Sequence, residues 1–342
     1  MQPSQDHNQN PTSSPESPRK SSFSPFLTKD TLKIKDILGI GFGFGKGSAY
    51  YHQKTNTIVA YPGAMDEIQF YNASTLTFQG RRRLEEFESA TCISYNQEAN
   101  TYVIGCQKGW KSHKTFIYSF YGSGGSLTKV KKCKEDVYSI AFMNSNYFAF
   151  SCYGSTKLDI GSLDQKRKTF KFYSYNQTSF CLYQMTNSHL LLSGLADGSM
   201  VVYWTKNLPK MKIMERVEMD RTRKPVNCVQ SVVTSGKEYV ITATQDNTLK
   251  IWALVKGKMR ILKVIQTENA VKSLVYLESY KMIVTGDQSD QISFWRFLSG
   301  KLEKTVSLSK SDTHRLFLMK GKNMLGVVPQ KNNEIKFIQL SE

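Results

Sequence analysis

A glycine-rich stretch, GIGFGFGKGSAY at residues 39–50, has the residue type that offers backbone N–H groups to a phosphate. Its spacing does not build that site. Gly45-Lys46 is followed by Gly47 where a phosphate loop needs Ser or Thr, and no register yields G-x-G-x-x-G. The stretch reads instead as a flexible connection in which glycine permits positive φ. The five histidines, His7, His52, His113, His189 and His314, are dispersed, with none at metal-ligand spacing and none beside a nucleophile motif. Asp197 and Asp246 sit in short polar turns and read as turn residues rather than general acids. No catalytic residue, cofactor or metal is expected, and the chain reads as non-enzymatic.

Six cysteines (Cys92, Cys106, Cys133, Cys152, Cys181, Cys228) are scattered singly with no C-x-x-C pair. Most lie inside apolar runs, where a thiol acts as a small hydrophobe. The start, MQPSQDHNQNPTSSPESPRKSSFSPF, has neither the apolar core of a secretory signal nor a second-position Gly for myristoylation. A reducing compartment, cytosol or nucleus, is the expectation. Residues 1–28 are rich in Ser, Pro, Gln and Asn and read as a disordered tail. Within it Ser14, Ser17 and Ser24 each precede Pro, which makes them candidate phosphorylation sites.

Positioning elements are legible elsewhere. The chain has 342 residues, 40% of them hydrophobic and 12% aromatic, enough for a packed core. No apolar run approaches the roughly 18 residues of a membrane span. The stretch ITATQDNTLKIW, 241–252, combines β-branched residues, a polar turn and an alternating run that ends on Trp. Its closing pattern of apolar, any, apolar, anchor recurs at Tyr71, Ser119, Gly161, Tyr203, Trp252, Trp295 and Ile338, at intervals of 48, 42, 42, 49, 43 and 43. All fourteen residues one and three before these anchors are apolar, and five of the seven between them are polar. That is the period of a half-buried strand, not of a helix. A second apolar run lies about a dozen residues before the anchor in six units. Each unit is therefore several short antiparallel strands.

Units of this length with a Trp closing the third strand resemble the WD-repeat β-propellers. The likeness is best over 180–300, where Ser193, Thr242 and Thr285 stand ten before the anchor. Asp197 and Asp246 stand six before it, with Ser289 in the next unit. The resemblance implies a hydrogen-bonded set at these positions, joining second strand, turn and the Trp (Trp252, Trp295). It also implies an all-β, seven-bladed propeller of four-stranded antiparallel blades over residues 31–342. A single blade cannot bury both faces, so blades stack, and a ring leaves none terminal. The last unit supplies three strands, and TLKIKDIL, 31–38, is expected to close it as the fourth.

What remains is surface. The net charge is +18, from 46 basic and 28 acidic residues. Lysine outnumbers arginine 35 to 11, as in chains from AT-rich genomes, so the total decides little by itself. Placement decides more. The stretches after the first six anchors hold 25 basic and 6 acidic residues, which leaves the rest of the chain near neutral. Their clusters are Arg81, Arg82 and Arg83; Lys129, Lys131 and Lys132; Lys166, Arg167 and Lys168; and Arg221, Arg223 and Lys224. Such a rim suits an acidic partner. In the second unit the turn QKGWKSHK is four residues longer than elsewhere. It carries Trp110, Lys111 and His113, a candidate partner-binding set. The expected function is a non-catalytic protein-interaction scaffold in a multiprotein assembly. An RNA-associated propeller using the rim is the alternative. A phosphoinositide-binding propeller is a minor one, since the only Arg run, GRRRL, is not where that family carries its motif.

Overall fold

Short runs of alternating residues separated by Gly-, Asn- and Ser-containing turns pair with their sequence neighbours, which builds six of the sheets one at a time, while the seventh joins the two ends of the described chain. The computed structural model describes residues 27–33, 48–61, 66–84, 89–108, 115–122, 125–164, 170–174, 178–185, 187–218, 223–289, 291–307, 313–329 and 335–340.

Strand β1 is Leu27–Lys33. Blade 1 is β2 (Ser48–His52), β3 (Thr57–Tyr61), β4 (Glu67–Asn72) and β5 (Phe78–Arg83). Blade 2 is β6 (Ser89–Asn96), β7 (Thr101–Gln107), β8 (Thr115–Tyr121) and β9 (Thr128–Cys133). Blade 3 is β10 (Val137–Phe142), β11 (Tyr147–Cys152), β12 (Lys157–Ser162) and β13 (Phe170–Ser174). Blade 4 is β14 (Ser179–Gln184), β15 (Leu190–Leu195), β16 (Ser199–Trp204) and β17 (Lys212–Glu218). Blade 5 is β18 (Val226–Thr234), β19 (Lys237–Thr244), β20 (Thr248–Val255) and β21 (Lys258–Gln266). Blade 6 is β22 (Val271–Leu277), β23 (Met282–Asp287), β24 (Gln291–Arg296) and β25 (Leu302–Ser307). Blade 7 takes β26 (Thr313–Met319), β27 (Met324–Pro329) and β28 (Lys336–Leu340) from the end of the chain and β1 from its start. All seven anchors fall on third strands, β4, β8, β12, β16, β20, β24 and β28.

The first strands line the axis in sequence order, and β26 returns to touch β2, so the sheets close into a ring. Closure is also visible in the core. Among the described residues there are seven buried apolar clusters, and each spans two adjacent blades. The one containing Tyr51, Ile58 and Tyr71 of blade 1 is completed by Phe317, Met319 and Phe337 of blade 7. The hydrophobic stabilisation thus belongs to the gaps between blades, and no blade owns a core of its own.

The closing strand lies four residues earlier than the alternation of 31–38 indicates. β1 pairs antiparallel with β28, from Leu27 opposite Leu340 to Lys33 opposite Lys336, with a shift in register between Thr28 and Leu32. The edge of β28 needs backbone partners more than it needs an alternating pattern, and the chain bulges to supply them.

The glycine anchor is filled from across the sheet. At Gly161 an added Cβ would lie 2.1 Å from the Phe148 ring, because Phe148 of β11 pairs directly with Gly161 and its ring occupies that space. In blade 7 the Phe317 ring of β26 occupies the space beside Gly326 of β27 in the same way, between the first and second strands and not at the anchor. In both, the second unit of aromatic volume comes from a neighbouring strand, and only glycine leaves room for it.

Polar side chains on the first strands stitch blade to blade. Phe142 N–H donates to Ser94 Oγ at 3.1 Å, Leu182 N–H to Ser139 Oγ at 3.0 Å and Leu316 N–H to Ser273 Oγ at 2.9 Å. Cys181 and Cys228, read from sequence as apolar filler, instead donate through Sγ to the Val226 and Lys272 carbonyls of the following blade, at 3.4 and 2.9 Å. Burial pushes both thiols up, Cys228 to about 11, so they stay protonated and able to donate.

Candidate interaction surface

The fourth strands form the outside of the ring, with one edge free. On β5 the exposure alternates, and Arg81 and Arg83 are exposed while Arg82 is half-buried. Arg81 Nη1 lies 3.2 Å from Glu67 Oε2. Glu67 is in turn the end of a buried chain, since Tyr71 Oη donates to Gln69 Oε1 and Gln69 Nε2 to Glu67 Oε1, each at 2.6 Å. Burying that carboxylate costs free energy unless a cation faces it, which fixes Arg81 in place. Arg82 crosses to the next blade, with Nε donating to the Gly125 carbonyl at 3.2 Å and the guanidinium 5.8 Å from the Phe70 ring centre. On β9, Lys129 Nζ sits 4.6 Å and Lys132 Nζ 5.9 Å from the centre of the Phe116 ring. Contacts of this kind at exposed sites contribute about 0.5–1 kcal/mol. They hold the stems against the ring, and Lys129 and Lys132 stay exposed. Lys131, half-buried, lies between them.

The other basic clusters divide. Arg223 and Lys224 are exposed but stand in the connection from β17 to β18, not on an outer strand. That connection meets the second-to-third strand turn of blade 4, since a Cβ on Gly198 would lie 2.7 Å from the Lys224 carbonyl oxygen. Lys166, Arg167, Lys168 and Arg221 lie outside the described residues, as do Ser14, Ser17 and Ser24. Trp110, Lys111 and His113 lie outside them too. The bounds of β7 and β8 still give the length of their turn, seven residues, against three at the same place in blades 4, 5 and 6, four in blade 3, five in blade 1 and six in blade 7, so the excess of four holds against three blades and not against all.

Elsewhere the surface offers little chemistry. Among the described residues no three His, Cys, Asp or Glu side chains group to hold a metal. No helix of the described residues is long and apolar enough to cross a membrane. A cavity of about 450 Å³ is lined by residues of blades 4–7, including Asn187, Gln230, Tyr276 and Lys320. His52, unassigned from sequence, bridges blades through Nε2 to Tyr95 Oη at 2.5 Å.

The repeat positions decide what the ring is. Trp252 is 1% exposed, and its Nε1–H donates to Thr242 Oγ1 at 2.9 Å. Trp295 donates to Thr285 Oγ1 at the same distance. The profile of the WD40 family, described as WD domain, G-beta repeat, matches residues 218–253, which hold the first of these pairs. The fold is a WD40 β-propeller. Solved structures share it: the β-propeller domain of Cps50 (Swd1) from Myceliophteria thermophila superposes with a TM-score of 0.71 at 11% identity, over 93% of this chain and 100% of that one. Raptor from Chaetomium thermophilum gives 0.68 at 14% identity over 86% of this chain and 28% of its own. No curated protein sequence matches the chain.

The WD40 set of hydrogen bonds is only partly kept. Asp246 Oδ1 accepts from Thr248 N–H at 3.2 Å and Thr248 Oγ1 at 2.7 Å, and pairs with the Thr244 hydroxyl, so it organises its own turn and not the Trp. Asp197 does the same through Ser199 and adds an ion pair with Arg216 of β17. Ser193 Oγ donates to Ser179 Oγ at 2.8 Å. In blade 6 the turn acceptor is Asp287, to which Ser289 donates at 2.9 Å, so Ser289 is a donor and the acidic position lies two residues earlier. The fourth blade thus keeps the positions without the Trp contact.

Proposed function

We propose that this WD40 propeller is a non-catalytic scaffold whose outer strands dock an acidic surface of a partner protein. The observation that supports the reading is the arrangement of β5 and β9, where Arg81 and Arg82 of blade 1 and Lys129 and Lys132 of blade 2 are braced by Glu67, Gly125 and Phe116. Braced cations lose less freedom when a partner binds, and adjacent blades hold them in fixed relation. Lys166, Arg167 and Lys168 extend the same reading into blade 3. Affinity capture with and without nuclease tests it. Charge reversal at Arg83, Lys129, Lys131 and Lys132, which leaves the Arg81–Glu67 pair in place, is expected to release an acidic protein whose retention also weakens with salt and survives nuclease. Retention lost to nuclease would make RNA the ligand of the rim.

Trp110, Lys111 and His113 form a second docking point in this reading, because insertions in repeat proteins concentrate on one face, often the binding face. Trp110→Ala is expected to release at least one co-purifying protein while stability changes by less than ~1 kcal/mol, as for a surface change. Loss of several kcal/mol with every partner retained would make Trp110 a packing residue.

A further inference from the structure

Blade 5 ends in an outer strand unlike the others. β21 runs nine residues, against five to seven in the other outer strands. Three of its aliphatic side chains, Ile261, Leu262 and Val264, are each 49% exposed, whereas β17 and β25 expose one large apolar side chain apiece, Met214 and Leu302. Interleaved with them are Lys258, Arg260 and Lys263, and no Asp or Glu occurs between Ala253 and Gln266. None of these three cations has an ion pair among the described residues. Among the described residues one side chain reaches the free backbone edge, and it is a carboxylate: Glu215 Oε2 of β17 accepts the Met259 N–H at 2.8 Å. Past Met259, no side chain of another strand reaches the backbone of Arg260–Gln266 among the described residues.

We propose that the edge of β21 binds an extended segment of a partner protein, rich in carboxylates and β-branched residues, which joins blade 5 as a fifth strand. An open edge with half-exposed aliphatics is a template for strand addition, in which main-chain hydrogen bonds give affinity and alternate side chains give specificity. The lysines and the arginine choose the occupant. A second copy of this strand would set cations against cations with no carboxylate to offset them, and like charges across a strand pair are unfavourable. An acidic strand neutralises them, and Glu215 already places a carboxylate against this edge. The proposal rests on the scaffold reading and names a partner chemistry for a surface away from β5 and β9.

The probe is a labelled peptide of alternating Glu and Val, titrated against the full chain by fluorescence anisotropy, with an alternating Lys and Val peptide as control. Hydrogen exchange locates the bound site. The acidic peptide is expected to bind, the basic one not to, and amides of β21 to gain protection. The variant R260E/K263E is expected to raise the peptide's Kd about tenfold. I261T/V264T, which keeps strand propensity, is expected to do the same. No binding at low salt, protection elsewhere, or equal binding by both variants overturns the proposal. So does a concentration-dependent dimer abolished by these variants, or binding of anionic vesicles through β21 in place of the peptide. Should the peptide fail while β5 and β9 still retain a protein, only this proposal falls. If both fail, the scaffold reading falls with it.

Discussion

Deleting residues 1–33 is expected to destabilise the whole ring by more than ~4 kcal/mol, whereas deleting residues 1–26 leaves the melting temperature nearly unchanged. The two truncations differ by β1 alone. Its loss strips β28 of its outer partner along Leu340 to Lys336 and leaves blade 7 with three strands. Phe337, Ile338 and Leu340, now 0%, 5% and 4% exposed, then stand at an open edge. Because every core cluster lies between blades, loosening blade 7 also weakens its seams with blades 6 and 1. The exposed edge is also a site for aggregation, so the longer truncation is expected to precipitate on heating. Differential scanning calorimetry on both checks this. Equal melting temperatures would mean that β1 does not close the ring.

The second large effect is expected at Trp252. Trp252→Ala removes a side chain that is 1% exposed in the seam between blades 4 and 5 and should cost about 3–5 kcal/mol. Trp252→Phe keeps much of the volume but leaves the buried Thr242 hydroxyl without its donor, for about 1–3 kcal/mol. The double change Trp252→Phe with Thr242→Val removes both polar partners, and is expected to recover part of the loss. Urea denaturation of the three variants measures it. A Trp252→Phe variant as stable as the parent would mean that the hydrogen bond carries no net stabilisation in this blade.

The third strands were legible in the sequence because burial on one face forces period-2 alternation, and the anchors Tyr71 to Ile338 all land on them. The closing strand was misplaced because TLKIKDIL alternates better than LTKDTLK, yet an edge strand is positioned by backbone pairing. Ser94, Ser139, Ser273, Cys181 and Cys228 gave no signal, since their partners stand 43 to 48 residues away in the next blade. In a strand such residues look like interruptions of an apolar run. The basic character of β5 and β9 was legible as charge placement, but not the bracing by Glu67 and Phe116, which depends on neighbouring strands. The edge of β21 was hidden for a related reason. Alternation indicates a half-buried strand, and which half faces water on an outermost strand follows only from the ring.

If the outer strands of adjacent blades carry partners, lysine cross-linking of the captured assembly, read by mass spectrometry, will show which lysines face them. Cross-links from Lys129, Lys131 and Lys132 to a co-purified acidic protein, formed after nuclease treatment and lost at high salt, are the predicted result. Links to partner protein confined to Lys237, Lys281 and Lys320, at the first-to-second strand turns, with none from β9, would contradict it.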